Sequence, residues 1–99
     1  MLLFLLGNSF AGPTDDPVIK WREKNQEKRI DQGVKSGELT PKEAGKLERE
    51  QARIKQTESR MKADGKLTNK ERAKLRREQN RASNRIYNKK HNQKKAKVN

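Results

Sequence analysis

The residues best suited to chemistry lie in the last third of the chain. Arg77, Arg81, Arg85 and Lys89 recur every fourth residue, and Asn80, Asn84, Asn88 and Asn92 form the adjacent row. Lys70, Lys74 and Lys90 extend the same stretch. Guanidinium forks match phosphate oxygens, and asparagine amides hydrogen-bond to phosphates, sugars or base edges. In a helix four residues make about one turn, so both rows are expected to lie away from a Leu75–Ala82–Ile86 seam. This pattern points to recognition of a polyanion. Covalent and proton-transfer chemistry has no comparable set. There is no cysteine, and the single histidine, His91, stands among Lys and Asn. No nucleophile–base pair and no Gly-rich phosphate loop can be read from the sequence. The reading is of a non-enzyme with no cofactor and no small-molecule substrate.

The charge is one-sided as well as abundant. Of 99 residues, 26 are Lys or Arg and 13 are Asp or Glu, a net charge of +13. Residues 1–50 hold nine basic and nine acidic residues, whereas residues 51–99 hold 17 basic and four acidic. A balanced half joined to a strongly basic half suggests a scaffold carrying a polyanion-binding element. Nucleic acid, DNA before RNA, is the expected partner, bound through backbone phosphates at Lys70, Lys74, Arg77, Asn80, Arg81, Asn84, Arg85, Asn88, Lys89 and Lys90. Lipid headgroups and acidic polysaccharide share the same chemistry. Two other classes stay open: a self-assembling or filament-forming protein, and a periplasmic stress or chaperone-like protein that does not use nucleic acid.

The elements that must position these side chains are announced by an internal repeat. GELTPKEAGKLEREQAR, residues 37–53, matches GKLTNKERAKLRREQNR, residues 65–81, at 11 of 17 positions with an offset of 28. Each copy opens with a capping box, Thr40-Pro41-Lys42-Glu43 and Thr68-Asn69-Lys70-Glu71. Pro41 falls at a first helical position, where its missing N–H costs nothing. Leu39 and Leu67 precede the caps as hydrophobic staples would. Ala44, Leu47, Gln51, Ile54, Glu58 and Met61 alternate steps of three and four, as do Leu75, Gln79, Ala82 and Ile86. Both seams are narrow and interrupted by polar residues. A first helix, from Asp16-Pro17 to about Gln32, is expected to cover them with Val18, Ile19, Trp21 and Ile30. Trp21 is read as a core or inter-helix contact. The expected fold is all-α: three helices in extended helical hairpins, with two helix-turn-helix repeats.

The turns resemble EF-hand loops. In RMKADGKLTNKE, residues 60–71, Asp64, Gly65, Leu67 and Glu71 occupy EF-hand-like places, and Gly37, Leu39 and Glu43 do so in the earlier copy. Arg60 and Lys62, and Gln32 and Val34, stand where calcium loops carry oxygen ligands. The resemblance implies EF-hand-like helix-turn-helix geometry without an ion, and no metal site is expected. GELTPKEAGKLE, GKLTNKERAKLR and IYNKKHN are together similar to small exported bacterial proteins of unknown function with tandem GxLT-type helical repeats.

Met1-Leu2-Leu3-Phe4-Leu5-Leu6, followed by Ser9-Phe10-Ala11, reads as the end of a signal peptide cleaved after Ala11. The expected organisation is a leader at 1–11, a linker at 12–17, a helical repeat domain at 18–91 and a disordered basic tail at 92–99. The expected location is secreted or periplasmic.

Overall fold

A computed structural model describes residue 14 and residues 16–92; the expected leader, and all of the expected tail except Asn92, lie outside the described residues. Among the described residues three α-helices form, α1 at Pro17–Ser36, α2 at Pro41–Lys62 and α3 at Asn69–Lys90. Each packs on both others, so the hairpins close into a three-helix bundle. Short turns between packed neighbours make it up-down-up.

Local chemistry sets the helix ends. Asp16, at the end of the expected linker, is the N-cap of α1, and its Oδ1 accepts from the N–H of Val18 and Ile19, each at 3.1 Å. Both capping boxes form. Thr40 N–H donates to Glu43 Oε1 at 3.0 Å and Glu43 N–H to Thr40 Oγ1 at 3.1 Å. Thr68 N–H and Glu71 N–H repeat this at 2.9 and 3.1 Å. Gly37 and Gly65 turn the chain at φ of 82° and 85°, a region that costs glycine nothing.

α1 runs past the expected stop near Gln32. Gly33 has the low helix propensity of a terminator, yet here its bare backbone makes room for a neighbour. A Cβ on Gly33 would lie 2.6 Å from Leu39 Cδ1. The helix therefore continues to Ser36, and Leu39 N–H folds back to the Gly33 carbonyl at 3.0 Å.

Among the described residues the core has two apolar clusters. Ile19, Ile54, Leu67, Leu75 and Ala82 make one, and Ile30, Leu39, Leu47 and Ile86 the other. Among the buried side chains, Gln26, Gln51 and Gln79, one from each helix, form a polar layer. Gln51 Nε2 donates to Gln26 Oε1 at 2.8 Å, Gln26 Nε2 to the Gln79 carbonyl at 2.9 Å, and Gln79 Nε2 to the Ile19 carbonyl at 3.0 Å. An amide left unpaired in such a core costs about 1–3 kcal/mol, so this layer opposes sliding of one helix along another.

Two side chains expected to cover the seams, Trp21 and Val18, do not; Trp21 is no core contact and is 63% exposed. The buried line of α1 is Ile19, Gln26, Ile30 and Gly33, and a residue two places from Ile19 points about 200° away from it. Val18 is exposed for the same reason of phase. The two glycine turns also sit at opposite ends of the bundle, because the unbroken α2 runs between them. Leu39 accordingly joins one cluster and Leu67 the other.

Candidate nucleic-acid interface

Phase decides which cations are available to a ligand. α3 buries Leu75, Gln79, Ala82 and Ile86. A row of every fourth residue gains about 40° per step on a helix of 3.6 residues per turn. The Arg77–Arg81–Arg85–Lys89 row therefore winds from the outward side of α3 toward α2 and does not stay clear of the seam. Arg77 and Arg81 are exposed and make no hydrogen bond or ion pair among the described residues. Arg85 lies over Glu50 of α2 and is ion-paired with it. Lys89 is half-buried in the groove between α2 and α3.

The remaining expected residues divide in the same way. Lys70, Asn84 and Asn88 are exposed on the outward side, without a partner among the described residues. Lys74 is 3.7 Å from Glu78, one turn on. Asn80 turns toward α1 and accepts from Arg22 Nη1 at 2.9 Å. Lys90 belongs to the scaffold. Its side chain is 15% exposed, and Nζ donates to the Arg29 carbonyl at 3.3 Å and lies 4.0 Å from Glu38. The structure thus brings Lys70, Arg77, Arg81, Asn84 and Asn88 together on one side and sends Asn80 and Lys90 toward α1.

The α1–α3 flank uses its cations to hold the fold. Asp16 is buried, and Arg72 Nη1 and Arg76 Nη2 each reach its Oδ2 at 3.0 Å. Burial raises the Asp16 carboxyl, but the Ile19 N–H and the two guanidinium groups outweigh it and hold the pKa below the usual value. Arg29 clamps Ser83 through its hydroxyl at 2.7 Å and its carbonyl at 3.1 Å.

The α1–α2 flank is mixed. Lys20, Lys24, Lys28 and Lys55 line its groove beside Glu23, Glu27, Asp31 and Glu48. Carboxylates crowd one another here. Burial, and then the adjacent Glu58 carboxylate, push Glu23 up to about 7. Burial also raises Glu58, but the hydrogen bond from Glu23 and the Lys62 ammonium at 2.8 Å bring it below the usual value. One proton shared between the two carboxyls accounts for both directions. Burial, followed by Glu27, raises Glu48.

The α2–α3 flank is cationic. Its groove is lined by Lys46, Arg49 and Arg53 of α2 and by Arg81, Arg85 and Lys89 of α3, with Glu50 and Glu78 as the only carboxylates among the described residues. Sequence reasoning missed the three α2 cations. Their signal was the repeat itself, since Lys46, Arg49 and Arg53 stand 28 residues before Lys74, Arg77 and Arg81. None of the three makes a hydrogen bond or ion pair among the described residues.

Tyr87 and His91 stack at 4.0 Å at the end of α3, where the His91 N–H caps the Tyr87 carbonyl. Among the described residues, no three His, Asp or Glu side chains converge on a metal-sized space, and no helix is long and apolar enough to cross a membrane. Compared with protein-family models, curated proteins and solved structures, the chain matches none.

Proposed function

We propose that this chain binds nucleic acid, DNA before RNA, through backbone phosphates and with little regard to sequence. One observation carries the reading. Arg72, Arg76 and Lys90 are held by partners of the fold itself, whereas Lys70, Arg77 and Arg81 stand exposed and without a partner among the described residues on one continuous side. Unneutralised cations in a row repel one another, and a phosphate backbone relieves that repulsion while releasing its counterions. The leader-like run at residues 1–6 supports export of the binder.

The test is fluorescence anisotropy of labelled duplexes of unrelated sequence, titrated at several salt concentrations. Binding should fall steeply with salt. Arg77→Ala with Arg81→Ala should weaken all sequences alike, by roughly tenfold, and flatten the log–log salt slope by about two. Binding that is independent of salt, or lost on one sequence only, would overturn the reading.

A further inference from the structure

Resting on that reading, we infer that a DNA duplex seats one phosphate backbone in the α2–α3 groove, between cations of both helices, and that Glu50 holds Arg85 at a place a phosphate takes over. The groove has two cationic lips. Lys46, Arg49 and Arg53 stand on one, and Arg81, Arg85 and Lys89 on the other. From Lys46 to Arg53 is seven residues, about 10 Å of helix. Measured along the duplex axis, that length spans on the order of three base-pair steps.

The lining also distinguishes duplex from single strand. Proteins that bind single strands pair a basic channel with aromatic rings on which bases stack. Among the described residues, no aromatic ring lines this groove. Trp21 is on α1, and Tyr87 stacks on His91. A duplex keeps its bases stacked on one another and presents only phosphates to such a surface.

Glu50 is the internal competitor. Its side chain is 12% exposed at the floor of the groove, and its carboxylate pairs with Arg85, whose own side chain is 53% exposed. A carboxylate and a phosphate oxygen make the same charge-assisted bond with a guanidinium. The resident carboxylate therefore subtracts from phosphate binding at that point. Arg85 can turn outward when a stronger anion arrives.

The experiment uses the full chain, a labelled 20-base-pair duplex and the matching single strand, in a salt series, with circular dichroism to confirm that each variant keeps its helices. The wild type should prefer the duplex. Lys46→Gln, Arg49→Gln and Arg53→Gln together should weaken duplex binding by more than tenfold and flatten the salt slope by about two to three. Glu50→Gln should tighten binding severalfold. Glu48→Gln makes the same charge change on the other side of α2 and should do much less. Wild-type binding by the α2 triple variant, with loss in the Arg77/Arg81 variant, would overturn the groove and leave the outward side of α3 as the interface. Equal gains from Glu50→Gln and Glu48→Gln would show that only net charge counts, and would also overturn it. A single strand bound as tightly as the duplex would remove the duplex assignment. A wild-type chain that binds neither would overturn the parent reading itself.

Discussion

Helix α2 borders two grooves, and they differ in kind. Toward α1, four lysines face four carboxylates, and the carboxylates are close enough to perturb one another. Toward α3, six cations face two carboxylates among the described residues. One helix thus separates a self-neutralised groove from a cationic one. The net charge of a protein says little about where a polyanion would settle; what matters is how much of that charge is left after the fold has used its share. Here the α1–α3 flank consumes Arg72 and Arg76 on Asp16, and the α1–α2 flank balances itself. The excess is left on the third flank and on the outward side of α3.

The largest effect should come from inverting the difference. Arg53→Glu with Arg81→Glu puts two carboxylates into the cationic groove and should reduce DNA affinity by roughly a hundredfold or more at moderate salt. Lys24→Glu with Lys28→Glu makes the same charge change in the mixed groove. Titration of both variants against one duplex compares the flanks directly. Equal losses would mean that the whole surface acts through net charge and that the grooves are not distinct.

Next in size is a pH effect centred on the mixed flank. Glu23 titrates at about 7 in the fold, against 4.5 for an ordinary glutamate. Its folded pKa is the higher of the two, so the folded state holds the extra proton between those values. The stability this gives is fully present below 4.5 and is lost as pH rises toward 7. Raised Glu48 works in the same direction. Asp16 and Glu58 are lowered, and their contributions are present above the ordinary carboxylate range and lost as pH falls through it. Thermal unfolding should therefore give a higher Tm near pH 5 than near pH 8, with a decline again in stronger acid. Glu23→Gln keeps a hydrogen-bond donor toward Glu58 but removes the titration. It should match the wild type near pH 5 and exceed it near pH 8. A wild-type Tm that rises from pH 5 to pH 8 would contradict this account.

How much of this was legible in the sequence follows from the range of each interaction. The capping boxes are closed within four residues, so Thr40, Glu43, Thr68 and Glu71 announced α2 and α3 unaided. The seams of both helices were periodic enough to survive a glutamine and a glutamate in the core, and Gln51, Glu58 and Gln79 are buried where the spacing put them. The ligand surface was harder. Whether an arginine faces a ligand or the fold depends on partners far along the chain: Asp16 for Arg72 and Arg76, Glu50 for Arg85, the Arg29 carbonyl for Lys90. No local pattern marks those pairs. Dividing the chain into a neutral and a basic half also hid Lys46 and Arg49, which belong to the first half by number and to the cationic groove by helical phase. Trp21 failed for the opposite reason. Its size suggested burial, whereas its phase on α1 already excluded it.

The smallest expected effect separates stability from binding on the cationic flank. Gly45 lies inside α2, and the repeat places Ala73 at the equivalent point of α3. A Cβ on Gly45 would meet only Arg49 Nη1, at an ordinary 3.5 Å. Nothing in the fold requires a glycine there, in contrast to Gly33, where Leu39 occupies the space. Gly45→Ala should stabilise the bundle by about 0.5–1 kcal/mol, since glycine in a helix interior loses more backbone entropy than alanine. Chemical denaturation would show a higher midpoint with an unchanged slope. Duplex affinity should stay within about twofold of the wild type, because charge and helical phase are unaltered. If affinity instead rose along with stability, the order of α2 would be limiting binding, and the losses expected from substituting Lys46, Arg49 and Arg53 would have to be measured again in the stabilised chain before they could be assigned to charge.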